Sequence, residues 1–184
     1  MKKLLAVLLV LLTGCAGKNQ LLEQAMDLRA ELLGCQECSF QAVITADYGD
    51  ELYSFTLSCK SDNRGSTTFQ VQAPESIAGI TGKIDAQGGK LTFDDQAVQF
   101  PLMAEGQISP ISGPWVLMKT LLGGYLTSCG KDGDLTLVSI DDSYQEDALH
   151  LDIWLNESRR PVRGEIFFDG RRIVTMELSD FEVR

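Results

Sequence analysis

From Cys38 onward the chain alternates inward and outward residues with period two, and that pattern restricts it to a β-rich fold. Phe40, Ala42, Ile44 and Ala46 alternate with Ser39, Gln41, Val43 and Thr45. Successive side chains of a strand point to opposite faces, so one set meets a core and the other meets solvent. Asp47-Tyr48-Gly49-Asp50 reads as a turn, and a second strand follows over 51–60. Further strands are expected over 66–73, 80–85, 90–93, 97–100, 125–129, 134–140, 148–155, 161–168 and 172–178. Gly88-Gly89 and Asp169-Gly170 mark hairpins. In the segment 148–155, Leu149, Leu151, Ile153 and Leu155 face one way, and His150, Asp152 and Trp154 the other.

Two segments change the period. Gln20 to Leu33 is an amphipathic helix with Leu21, Ala25, Leu28 and Leu32 in one stripe, Leu22 and Leu33 beside it, and Gly34 as C-cap. After a loop from Pro101 to Pro110, Gly113-Pro114 opens a second helix over Trp115–Leu122, closed by Gly123-Gly124. Pro114 suits a first helical position. Trp115, Leu117, Met118, Leu121 and Leu122 leave this helix little polar face, so it is deeply buried or borders an apolar cavity. Eleven strands and two helices in this order predict an antiparallel α+β protein. The 184 residues allow one domain with ample surface to bury, and no repeat marks a second.

The N-terminus carries an address. Met1-Lys2-Lys3 precedes the apolar run Leu4–Leu12, then Thr13-Gly14-Cys15. A basic head, an apolar core and small residues make a secretory signal peptide, too short for a span of ~20 apolar residues. Leu12-Thr13-Gly14-Cys15 resembles the lipobox of bacterial lipoproteins at all four positions. The resemblance implies removal of residues 1–14 and a diacylglycerol thioether on Cys15. Ala16 to Asn19 is then a tether that reaches at most ~14 Å when extended, ahead of a single domain over 20–184. The protein is expected to be exported and held by lipid on the outer face of a bacterial membrane.

The formal charge is −10, and loss of Lys2 and Lys3 makes the mature chain more acidic. Such a chain is repelled by nucleic acid and by anionic headgroups, so no nucleic-acid partner is expected and membrane attachment falls to Cys15. Four other cysteines remain: Cys35, Cys38, Cys59 and Cys129. An even number in an exported domain reads as two disulfides. If the first hairpin loop is Asp47–Asp50, Cys38 falls opposite Cys59, which leaves Cys35 for Cys129. A two-residue loop would offset the first pair by two. The Cys35-Gln36-Glu37-Cys38 spacing also suits zinc or a thiol redox centre, but it lacks a second ligand pair and follows a helix instead of opening one.

Motifs for catalysis are missing. His150 is the only histidine, and no Gly-x-Ser-x-Gly elbow, phosphate loop or dinucleotide fingerprint accompanies it. Asp132, Asp134, Asp141, Asp142, Glu146 and Asp147 form an acidic region without EF-hand spacing. Neither enzyme activity, metal nor cofactor is expected.

The closing segments carry a family likeness. They run Trp154-Leu155-Asn156, Arg160-Pro161-Val162-Arg163-Gly164-Glu165-Ile166, Gly170-Arg171-Arg172-Ile173-Val174 and Leu178-Ser179-Asp180-Phe181. With Ala73-Pro74-Glu75 and Ile77-Ala78-Gly79-Ile80, they resemble the LolA/LolB-like lipoprotein carriers and their relatives. The resemblance implies a curved half-barrel sheet, unclosed, wrapped around a helical lid, with an apolar concavity that takes acyl chains in the carriers. It also admits partner binding: one relative is a lipid-anchored spore-germination protein that acts with a cell-wall amidase. This sequence departs from the soluble carrier in its own lipid anchor and its four additional cysteines.

Three functions follow in order: a hydrophobic ligand or lipidated partner in the concavity, an envelope adaptor without a ligand, and a cell-wall enzyme. Trp115, Leu117, Met118, Leu121 and Leu122 are the expected cavity lining. An open, dry cavity favours the first function and a tightly filled one the second.

Overall fold

The computed structural model describes residues 16–47, 49, 52–104, 107–145 and 148–184. The signal peptide, Cys15, Glu146 and Asp147 lie outside them.

Helix α1 (Ala16–Gly34) leads into six strands in sequence: β1 (Glu37–Asp47), β2 (Leu52–Asp62), β3 (Thr67–Ala73), β4 (Thr81–Asp85), β5 (Gly88–Phe93) and β6 (Gln96–Phe100). Two short strands, β7 (Met103–Ala104) and β8 (Gln107–Ile108), occupy the expected loop before helix α2 (Gly113–Gly123). The second series is β9 (Tyr125–Asp132), β10 (Leu135–Asp141), β11 (His150–Leu155), β12 (Pro161–Phe168) and β13 (Arg171–Val183).

All but β7 and β8 belong to one open, curved antiparallel sheet of eleven strands, ordered β6-β5-β4-β3-β2-β1-β13-β12-β11-β10-β9. It is two meanders, each strand beside its sequence neighbour, joined where the first strand pairs with the last. The eleven expected strands are the eleven observed. Both helices cover the face that carries Phe40, Ala42, Ile44, Leu57, Ile153, Leu155 and Met176, all buried.

Three expectations change. Helix α1 takes in Ala16 to Asn19, so those four tether residues rise about 6 Å instead of up to about 14 Å. Gly89 is not a turn residue: it pairs with Phe100 inside the sheet, and a Cβ there would lie 2.0 Å from the Phe100 ring.

The third correction concerns the disulfides. The β1–β2 register sets Asp47 opposite Leu52, Cys38 opposite Ser61 and Cys59 opposite Phe40. The loop still spans four residues but sits one residue later, which shifts every cross-strand partner by two. Asp47 places it there: its Oδ1 accepts the Gly49 N–H at 2.7 Å, and Gly49 takes the left-handed φ of 91°. Cys129 lies on edge strand β9, five strand positions from β1. All four thiols are free.

Candidate functional site

The concave face is occupied by α2. Trp115, Leu117, Met118 and Leu121 are all buried, Leu117 completely, and Leu122 is half-buried. Bare backbone seats the helix. A Cβ on Gly164 of β12 would meet Leu117 Cδ1 at 2.8 Å, and one on Gly113 would meet Met176 and Val174 at 3.3 Å. All five residues lie on this short helix, and of them only Leu121 borders the gap described below.

Polar contacts hold α2 at its rim. Trp115 Nε1 donates to the Gly65 carbonyl at 2.9 Å, in the β2–β3 turn. Lys119, the one exposed residue between Gly113 and Leu122, reaches Asp142 Oδ2 at 3.4 Å. Arg29 of α1 donates from Nε to the Leu121 carbonyl at 2.6 Å.

Beside that last bond lies a small gap. Its walls are Ala25 and Leu28 of α1, Leu121, Leu126, and Val138, Ile140, Ile153 and Leu155 from the sheet, with Arg29 at the edge. The gap is about 10 Å³, the lower limit for a single water. Arg29 Nη2 is buried there with no partner among the described residues, and burial pulls the guanidinium below its usual pKa. The hydroxyls of Ser112 and Thr120, on the α2 segment, are also buried without partners. Most buried polar atoms are hydrogen-bonded, and three of the four orphans found among the described residues lie around this one helix.

The sequence pointed to α2 but not to α1, and Arg29 was legible only as a lone cation between Leu28 and Leu32. Larger depressions, about 640 and 520 Å³, lie on the exposed β2–β6 wing beside Lys83 and Lys90. They are shallow, and threonines, glutamines and lysines line them alongside the Phe69 and Phe100 rings, so neither is an enclosed apolar site.

Cys38 and Cys59 are packing residues of the core. Cys38 Sγ lies 3.9 Å from Met118 Sδ, beneath α2. Burial, with Cys35 nearby, pushes the Cys38 thiol up to about 12, and burial raises Cys59 as well. His150 bonds to Asp141 at 2.6 Å through Nδ1 and to Asp152 at 3.1 Å through Nε2. Ser139 donates to Asp152 instead of to the histidine, so no Ser–His pair forms. Among the described residues no cluster suits a metal ion, and no helix is long and apolar enough to cross a membrane.

No family model matches the sequence, and no curated protein matches it. The fold does have counterparts. A domain described as outer membrane lipoprotein-sorting, from Vibrio parahaemolyticus, superposes with a TM-score of 0.51 at 12% identity over 90% of this chain and 93% of that one. The two share a fold. A LolA superfamily protein from Nitrosomonas europaea matches at TM-score 0.43 and 12% identity, over 87% of this chain and 93% of that one. A chain from the complex of the CwlD amidase with the GerS lipoprotein, from Clostridioides difficile, matches at 0.46 and 13%, over 88% and 95%. In this chain the concavity of the sheet is filled by its own α2.

Proposed function

We propose that this is an exported, lipid-anchored, non-enzymatic binding domain that takes an acyl chain under α2, with an anionic head group at Arg29. The observation that carries the reading is the unpartnered Arg29 Nη2 at an apolar gap shared by α1, α2 and the sheet. Entry requires α2 to lift. Glycines at both ends, Gly113 and Gly123-Gly124, supply hinges, and the Arg29–Leu121 bond is the clasp that must open. An inserted chain contributes ~0.8 kcal/mol per buried methylene, and a carboxylate or phosphate satisfies the guanidinium.

Titration with an environment-sensitive fatty acid tests this. The wild-type domain should show saturable uptake and prefer the free acid to its methyl ester. Leu121→Glu, compared at matched folding, should weaken uptake by about tenfold or more, because its charge is desolvated against the chain. Arg29→Met should keep uptake but lose the preference for the acid.

The filled concavity taken alone favours the other reading, an envelope adaptor that binds a protein and holds no ligand; the unpartnered Arg29 Nη2 is what ranks ligand binding ahead of it. Absence of saturable uptake by the wild-type domain sinks the first reading and leaves the second.

A further inference from the structure

Helix α1 has two apolar arcs, and the sheet covers only one. Ala25, Leu28 and Leu32 are buried, whereas Leu22, Met26 and Leu33 stand 44%, 47% and 52% exposed. At 3.6 residues per turn these three, with exposed Ala30 between them, lie along one side of the helix. Glu23, Asp27 and Glu31 follow around the helix. Asp27 pairs with Arg159 at 2.8 Å and Glu31 with Arg160 at 2.7 Å, so two of the three carboxylates flanking the apolar arc are neutralised.

The place of this arc in the chain selects its occupant. Helix α1 begins at Ala16, the residue after Cys15, with no extended spacer between them. Leu22, Met26 and Leu33 lie about 9, 15 and 26 Å along its axis from Ala16, the residue that follows Cys15 in the sequence. A bilayer that holds Cys15 is therefore within reach of every turn that exposes an apolar side chain. The acidity of the whole chain is a weak obstacle, because charges more than a Debye length of about 8 Å from the headgroups are screened. We infer that the Leu22–Met26–Leu33 side of α1 rests in the interfacial plane of that bilayer and fixes the orientation of the domain on it. The inference rests on the reading of Cys15 as the lipidated residue.

The test uses the processed lipoprotein in vesicles of phosphatidylethanolamine and phosphatidylglycerol. A benzophenone photo-crosslinker replaces Met26 in one preparation and Val43, exposed on the other side of the sheet, in a second. Crosslinking to phospholipid should be several-fold greater from position 26. Substitutions Leu22→Glu and Leu33→Glu, both at exposed sites, should abolish that excess while the protein stays in the membrane fraction. Cys15→Ser should abolish acylation and leave residues 1–14 uncleaved. If Cys15→Ser abolishes acylation and cleavage but positions 26 and 43 label lipid equally, the anchor stands and the inference is overturned. If Cys15→Ser is still acylated and membrane-bound, the anchor reading falls and this inference with it. Crosslinks from position 26 that go mainly to a protein make the arc a protein interface and also overturn it.

Discussion

Cysteines show how one residue type changes meaning with its surroundings. Read along the chain, four thiols in an exported domain imply two bridges. In the fold, Cys38 and Cys59 are 1% exposed and lie on neighbouring strands two residues out of register. Burial disfavours the thiolate, so both behave as small apolar residues. At pH 8 a thiol with a pKa of about 12 is ~10⁻⁴ ionised, and alkylation requires the thiolate. Timed alkylation of the native protein, followed by peptide mass mapping, should modify half-buried Cys35 and Cys129 first. Cys38 and Cys59 should react only on unfolding. Native Cys59 reacting as fast as Cys129 contradicts this, and so does recovery of a Cys38–Cys59 bridge.

At the scale of elements, glycine decides how closely parts approach. The Phe69 ring lies over Gly82, and the Phe100 ring lies over Gly89, each across a strand pair. Helix α2 uses the same device, with Leu117 seated on Gly164. A methyl at Gly164 must displace Leu117 or lift the helix. Gly164→Ala should therefore cost ~1–3 kcal/mol, read as a lower urea midpoint with an unchanged slope. It should also speed amide hydrogen exchange in α2 beyond the change elsewhere. A neutral substitution would mean that α2 already shifts freely, and the seat described here would be wrong.

Across the whole molecule, α1 spans from the first meander to the second. Its C-terminal end hands the chain to β1, while Asp27 and Glu31 reach Arg159 and Arg160 in the β11–β12 turn. The Glu31–Arg160 pair is bidentate, both bonds 2.7 Å, and the hydrogen bonds from Arg160 hold the Glu31 carboxyl below its usual pKa. A depressed carboxyl stabilises the fold above its unfolded pKa of about 4.3, and that contribution disappears as pH falls through the folded value. The pair is partly exposed and screened, so its contribution is about 0.5 kcal/mol. Glu31→Gln should lower stability by that amount at pH 7 and by nothing at the acid end, measured as paired denaturation curves from pH 7 to pH 3. A constant difference across that range would show packing, not charge, at this position.

Alternation, turn residues and two breaks in period determined the eleven strands, both helices and the antiparallel class, because each is written within a few residues of chain. The same local reading found α2, whose lack of a polar face is a property of its own sequence. Three things required the tertiary structure. The β1–β2 register turned on one hydrogen bond from the Gly49 N–H to Asp47 Oδ1, and a slip of one residue in the turn separates Cys38 from Cys59 by two. The role of Arg29 depends on a carbonyl 92 residues away. Whether the concavity is open or filled depends on how residues from both meanders pack against α2, and no single segment encodes that volume.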